Sequence, residues 1–230
     1  FLSIIPFFLL VLGFGISDLS IINVFQNSYV DDPFLFKITS VWGSREGSIL
    51  LWIFLINIYG IIFLRKNTDK QIHKQIIFIS SLFIIYLVIS SNPFENVNAN
   101  SIEQGMGLNP ILQNALFVIH PPTLFLGYIG LLIPFVLSSH ILITKNFSED
   151  LFAQMLYWSK ISWFFLTLGI VLGSYWAYSE LILRDTVEPD SVTTAPNLLP
   201  NSLPSLLIPT VVDCLIVLPK ESDGGSASIS

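Results

Sequence analysis

The sequence predicts an all-α fold, a polytopic transmembrane helical bundle of about six spans with the first one truncated. Three observations carry that expectation. Only 11% of the 230 residues are charged and 53% are hydrophobic, whereas a water-soluble domain carries about 25% charge, so there is too little charge to cover a surface facing water. The apolar residues gather in separate runs at 1–16, 48–64, 76–90, 121–143, 161–178 and 203–218, none with an internal Lys, Arg or Glu; a helix needs roughly 20 mostly apolar residues to cross a bilayer. No run alternates polar and apolar residues as a barrel strand does.

Taken in order, the first run begins at Phe1 and is short for a span, so it reads as the remainder of a truncated helix, with no cleavable signal peptide. The second follows Ser48, a predicted N-cap for a helix starting at Ile49. The third follows the basic stretch Arg65, Lys66, Lys70 and Lys74. For the fourth, Pro121 is favoured at a first helical position and disfavours helix at the residue before it, which predicts a helix start at Pro121 with His120 as its cap. Within it, Gly127 and Gly130 offer a smooth face to a neighbour and Pro134 predicts a kink. Tyr157, Trp158, Trp163, Tyr175, Trp176 and Tyr178 bracket the fifth run as interfacial aromatics. After the sixth, residues 221–230 (ESDGGSASIS) are too small and polar to bury anything, so the expected organisation is a bundle over 1–220 and a disordered tail over 221–230.

Orientation follows from Lys and Arg in the connections. Residues 92–120 contain neither, residues 17–47 only Lys37 and Arg45, and residues 179–202 only Arg184, against the cluster at 65–74 and Lys145 and Lys160 beyond the fourth run. Alternate connections agree, which puts 17–47, 92–120 and 179–202 on the translocated side. These are also the long connections, far above the usual few residues, and long loops on one face carry function. The single Cys214 excludes an intrachain disulfide and any CxxC motif, and with no histidines paired at i, i+3 or i+4 a closed zinc site has no support. The absence of an internal repeat argues against an inverted-repeat transporter, and nothing points to nucleic acid. The wealth of Ile and of Phe (19, against 13 Gly) leans toward A/T-rich codons, which points to an organellar or otherwise A/T-rich genome.

Two constellations can carry chemistry. In residues 42–48 (WGSREGS), Gly43 and Gly47 allow tight turns around Arg45 and Glu46; one reading is a helix start anchored by Trp42 at the interface, the other a cation and backbone amides presented to an anionic ligand. The second is His120 in Ile-His-Pro-Pro. A helix N-terminus disfavours imidazolium and leaves a neutral ring able to bind a metal, although a lone histidine can equally satisfy a backbone carbonyl. His73 and His140 read as interfacial. Tyr157, Trp158, Trp163, Tyr175, Trp176 and Tyr178 need no ligand as an aromatic belt, and as a cluster beside His120 they could line a flat porphyrin.

Residues 42–52 (WGSREGSILLW), 107–130 (GLNPILQNALFVIHPPTLFLGYIG) and 167–181 (TLGIVLGSYWAYSEL), with 18–28 (DLSIINVFQNS), resemble the N-terminal part of the cytochrome c maturation protein F family, the haem-lyase component of cytochrome c assembly in bacteria and in plant or protist mitochondria. The resemblance implies a membrane subunit that receives b-type haem from a haem chaperone on the translocated face. Haem would be held there while an apocytochrome CxxCH segment forms thioether bonds to its vinyl groups. His120 matches the family's first axial histidine, so the implied cofactor-binding set is His120, as the haem-iron ligand, with Trp42, Arg45, Trp176 and Tyr178 at the haem edge or its propionates; Arg45 suits a propionate through bidentate pairing. The implied setting is the mitochondrial inner membrane, or alternatively the bacterial inner membrane.

The sequence departs from the family after Leu181. Where the family has a Trp-rich run, residues 182–190 read ILRDTVEPD, and Asp213 stands where a membrane-haem histidine is expected; a carboxylate is a poor haem ligand beside imidazole. Arg45 also occupies a place where the family commonly has His. The family is more than twice this length, which suggests one piece of a split protein, or a divergent or truncated one; in the split reading it acts as a haem lyase only in complex with other chains of the family, with the second axial histidine supplied from elsewhere. The other readings are a structural assembly subunit without haem, and a transporter or respiratory subunit, for which Asp213 is the one candidate relay residue inside a span.

Overall fold

The structure, a computed structural model, describes residues 2–65, 67, 69–90, 92–97 and 104–180. Residues 182–190, Asp213, the run 203–218 and the tail 221–230 lie outside them, and with them the expectations placed there. Among the described residues the chain forms α1 (Ile5–Gly15), α2 (Ile22–Asn27), α3 (Phe34–Gly43), α4 (Arg45–Leu64), α5 (Lys70–Ser90), α6 (Ala115–Gly130), α7 (Leu132–Thr144) and α8 (Glu149–Tyr178), with one isolated β-bridge between Ile21 and Asn96. Four segments are long and apolar enough to span a membrane: α4, α5, the combined stretch Ala115–Thr144, and α8; α1 is a shorter apolar helix. The all-α membrane bundle is as expected.

The starts of α4, α5, α6 and α8 all lie N-terminal to the predicted ones, and in most cases the reason is a polar cap. Ser44, not Ser48, caps α4: its backbone is extended and its Oγ accepts the Gly47 N–H at 3.1 Å. Ser48 lies inside the helix and donates its hydroxyl to the Trp42 carbonyl at 2.9 Å. Asp69 Oδ1 accepts from Gln71 N at 2.7 Å and Ile72 N at 3.3 Å, so α5 opens at Lys70 rather than Ile76. Glu149 and Asp150 occupy the first turn of α8, where the helix dipole favours negative charge; its 30 residues rise about 45 Å, well beyond the apolar run at 161–178.

The predicted start at Pro121 is corrected in the same way. Asn114 caps α6, its Oδ1 accepting Leu116 N at 2.8 Å, and both Pro121 and Pro122 lie inside the helix. His120 is therefore in the second turn and is not a cap. The local preference set by proline yields here to a capped turn upstream and to tertiary contacts. Pro134 acts closer to expectation: it cannot donate to the Gly130 carbonyl, and the long run divides at Leu131, between α6 and α7.

Two long connections meet at one end of the bundle. Ile22 N donates to Glu95 O at 2.8 Å, Val97 N to Ser20 O at 2.8 Å, and Met106 N to Phe25 O at 2.7 Å. This paired layer lies at the end where α4 and α6 begin and α5 and α8 finish. The core beneath it includes Leu10, Phe14, Ile53, Ile56, Ile133 and Leu137, all essentially inaccessible.

The closest helix pair is α6 against α8, which run antiparallel. A Cβ on Gly127 would stand 2.3 Å from Leu166 N, and one on Gly169 would stand 2.7 Å from Leu124 Cα. Gly130 lies against Ser162 Oγ, 2.6 Å from where its Cβ would be. Helices in lipid gain little from apolar contact alone, so small residues that let backbones approach supply the association. Replacing Gly127 with Val forces a side chain into backbone that cannot turn aside, at a cost of about 1–3 kcal/mol. Thermal unfolding in detergent should show a lower midpoint for Gly127→Val; an unchanged midpoint contradicts the close approach.

Candidate functional site

His120 extends from α6 toward α8. Its Nδ1 lies 2.9 Å from the Gly169 carbonyl oxygen. A carbonyl only accepts, so Nδ1 carries the proton in this hydrogen bond and Nε2 of the neutral ring keeps its lone pair. Nε2 has no hydrogen-bond partner among the described residues, and the side chain is half-buried. A bond of this kind fixes the tautomer and the orientation of the ring.

α8 forms the rest of the seat. A Cβ on Gly173 would be 2.5 Å from His120 Cε1 and 3.0 Å from Nδ1, so the ring rests on bare backbone. One turn on, the Trp176 ring lies 5.8 Å from the imidazole centroid at 38° and 5.9 Å from Phe117 at 44°. The Trp176 indole nitrogen is buried and has no hydrogen-bond partner among the described residues. Beyond it, the Asn114 amide donates to Glu180 Oε1 and ties the start of α6 to the end of α8. Gly169, Gly173, Trp176 and Glu180 follow each other at steps of four, three and four, which keeps them on one helical face.

Trp42 approaches from the other side. Its Nε1 donates to the Phe117 carbonyl at 3.2 Å, and Gly43 lies close enough to Phe117 that a Cβ there would be 3.4 Å from Cζ. The structure thus brings Trp42, Phe117, His120 and Trp176 into one chain of contacts. It does not bring Arg45 and Tyr178 there. Arg45 is well exposed and pairs with its neighbour, Nε and Nη2 meeting Glu46 Oε1 at 3.1 and 2.8 Å. Tyr178 is half exposed, and being two residues from both Trp176 and Glu180 it points away from α6.

The remaining histidines lie at the opposite end. His140, expected at an interface, is only 5% exposed; its Nε2 is 3.8 Å from Asp69 Oδ2 and its Nδ1 is buried without a partner. It is buried where the end of α7 packs against the capped start of α5. His73 Nδ1 lies 2.7 Å from the Asp69 carbonyl. Among the described residues no three His, Cys, Asp or Glu side chains cluster to hold a metal ion. Sequence reasoning passed over Phe117, Gly169, Gly173, Asn114 and Glu180; the three-four spacing of residues 169–180 was the available signal, but the register between α6 and α8 was needed to use it.

The sequence matches the family model described as cytochrome C assembly protein over residues 42–183, more than half of the chain. It is 38% identical over 171 residues to the cytochrome c-type biogenesis protein CycK of Bradyrhizobium diazoefficiens, covering 72% of this chain and 26% of that protein. It is 32% identical over 181 residues to the cytochrome c-type biogenesis protein CcmF of Escherichia coli, covering 76% and 28%. A solved structure of the cytochrome c haem lyase CcmF superposes with a TM-score of 0.65 at 25% identity, over 76% of this chain and 28% of that one. The chain thus spans about a quarter of the length of these relatives. The family match contains the whole cluster from Trp42 to Trp176, and by that match the chain belongs to the cytochrome c assembly protein family.

Proposed function

We propose that the chain is a membrane subunit of the cytochrome c assembly machinery that holds haem for attachment to apocytochrome c, with His120 as one axial ligand. The carrying observation is the His120 Nε2 lone pair, fixed by the Nδ1 hydrogen bond to Gly169 and set beside Trp176. A porphyrin already gives iron four nitrogens, so a single oriented imidazole is a sufficient contribution from this chain. The setting fits haem in one further respect: the half-buried Trp176 ring beside the imidazole offers flat apolar surface to a porphyrin. Bound haem supplies the vinyl groups that the cytochrome thiols add to. The residues of this chain hold and orient the iron ligand.

The setting follows the charge argument. The end with His120 carries the two long connections poor in Lys and Arg, which supports placing it on the translocated face, where a haem chaperone and apocytochrome c would meet it. The A/T-leaning composition supports the mitochondrial inner membrane. The named relatives are bacterial, which keeps the bacterial inner membrane as the second reading. A second axial ligand, and the other chains of the family that supply it, complete the site. Arg45 is proposed only as an outer partner of a propionate, since reaching one requires it to leave Glu46, and Tyr178 only as part of the aromatic rim.

The test is a haem spectrum of the chain purified with its partners. His120→Ala should lose most of the Soret absorbance attributable to this site; an unchanged band sinks the axial role and favours a structural assembly subunit without haem. Gly173→Ala is a finer probe, because the added methyl must displace the imidazole from Gly169. Haem affinity should fall about 10- to 100-fold, as for other residues that orient a metal ligand, with the Soret maximum shifted. Retention of wild-type affinity and band position by Gly173→Ala contradicts the seat described above.

A further inference from the structure

The motif at residues 42–48 has a role that its charged pair does not explain. Within α6, Pro121 has no amide proton, so the carbonyl four residues earlier, that of Phe117, loses its intrahelical donor. Phe117 is 4% exposed, which removes bulk water as a substitute. At membrane depth every backbone polar group must find a partner inside the protein. The partner is the Trp42 indole N–H, 3.2 Å from that oxygen and 75 residues away in sequence.

The rest of the motif holds Trp42 in place. Ser48 Oγ donates to the Trp42 carbonyl at 2.9 Å, and Ser44 Oγ donates to the Val41 carbonyl at 2.9 Å while accepting from Gly47 N. Gly47 permits the corner: a Cβ there would stand 1.8 Å from Val41 O. Gly43 lets Phe117 and Leu108 close over it, with a Cβ 3.1 Å from Leu108 Cδ1. Five of the seven residues thus act on one corner, and that corner delivers one donor to the turn of α6 that carries His120.

We propose that Trp42 is a positioning residue for His120, its indole N–H replacing the amide that Pro121 cannot supply. The inference rests on the reading of His120 as a haem ligand and adds that Trp42 acts through the helix rather than by touching the haem. Pro121 prevents α6 from closing its own hydrogen bond, and Trp42 fixes where the opened turn sits. The imidazole is thereby held between Gly169 and Trp176.

The decisive experiment is a double-mutant cycle of Trp42→Phe and Pro121→Ala in the assembled complex, read in two ways. Haem-free complex is melted in detergent, and haem-loaded complex is read by Soret position and haem affinity. Trp42→Phe keeps an aromatic face and removes the donor; it should lower the melting midpoint and weaken haem binding about tenfold or more. Pro121→Ala restores an amide to the Phe117 carbonyl, so in that background Trp42→Phe should change neither readout by more than about twofold in equilibrium terms. Should Trp42→Phe alone fail to accumulate, the double variant accumulates like Pro121→Ala. Additive defects in the double variant overturn the proposal and indicate direct contact between Trp42 and haem. Rescue of the melting midpoint without rescue of haem binding overturns it too, leaving a purely structural bond. The melting cycle contains no haem, so it stands or falls separately from the result for His120→Ala.

Discussion

The site depends on how closely α6 and α8 approach. Gly127 and Gly169 place backbone against backbone, and the same register puts Gly173 under His120 and the Gly169 carbonyl within 2.9 Å of Nδ1. In lipid, an imidazole without such a partner would bear the full cost of an unsatisfied polar group. The packing contact and the ligand-orienting contact are therefore one feature. A glycine that only packs, such as Gly127, and one that also seats the ring, such as Gly173, differ in position along a single seam.

A second constraint is that α6 and α7 carry three prolines in a region where backbone groups must be paired internally. Of the three carbonyls whose amide donor a proline removes, those of Phe117, Val118 and Gly130, the first receives a side-chain donor, and further side chains bond to carbonyls that keep their helical partners. Trp42 serves the Phe117 carbonyl, Thr123 Oγ1 donates to Ile119 O at 2.7 Å, Tyr59 OH reaches Leu126 O at 2.8 Å from α4, and Ser138 Oγ donates to Pro134 O at 2.8 Å. Two of these bonds come from outside the helix, and they tie α6 to the α3–α4 corner and to the middle of α4. Aromatic contacts of Trp52 with Phe125 and Tyr128 strengthen the same side. The helix is thus held on two faces, by α8 through glycine and by α3 and α4 through hydrogen bonds.

Much of this was legible in the sequence, within definite limits. The apolar runs gave the spans, since hydropathy reflects the solvent, and Gly127 and Gly130 were legible as a packing face because glycine in a membrane helix has few other uses. Helix starts were not legible from the runs, because Ser44, Asp69 and Asn114 extend helices through polar residues that hydropathy excludes. The expected cap at His120 failed for a related reason: a preference local to Pro121 lost to Asn114 upstream and to Trp42 across the bundle. His120 itself was readable from its motif. Its seat was not, because the pairing of residue 120 with 169 and 173 depends on the register between two helices. Arg45 and Tyr178 were grouped with it by sequence proximity to Trp42 and Trp176, and helical phase separates them.

The two histidines of the long α6–α7 run differ in what their rings touch. His120 and His140 are twenty residues apart, about 30 Å of helical rise and close to the thickness of a bilayer core. His140 faces Asp69, whose carboxylate also caps α5, and it is 5% exposed, so its imidazole is committed to holding the α4–α5 connection against α7. His120 meets only a carbonyl, a glycine and an indole, none of which competes for Nε2. A carboxylate beside an imidazole offers it a partner of its own, whereas a backbone carbonyl fixes one nitrogen and leaves the other to an incoming ligand. The distinction lies in what each ring touches, and it is the reason the proposed coordination role falls on His120 rather than on His140.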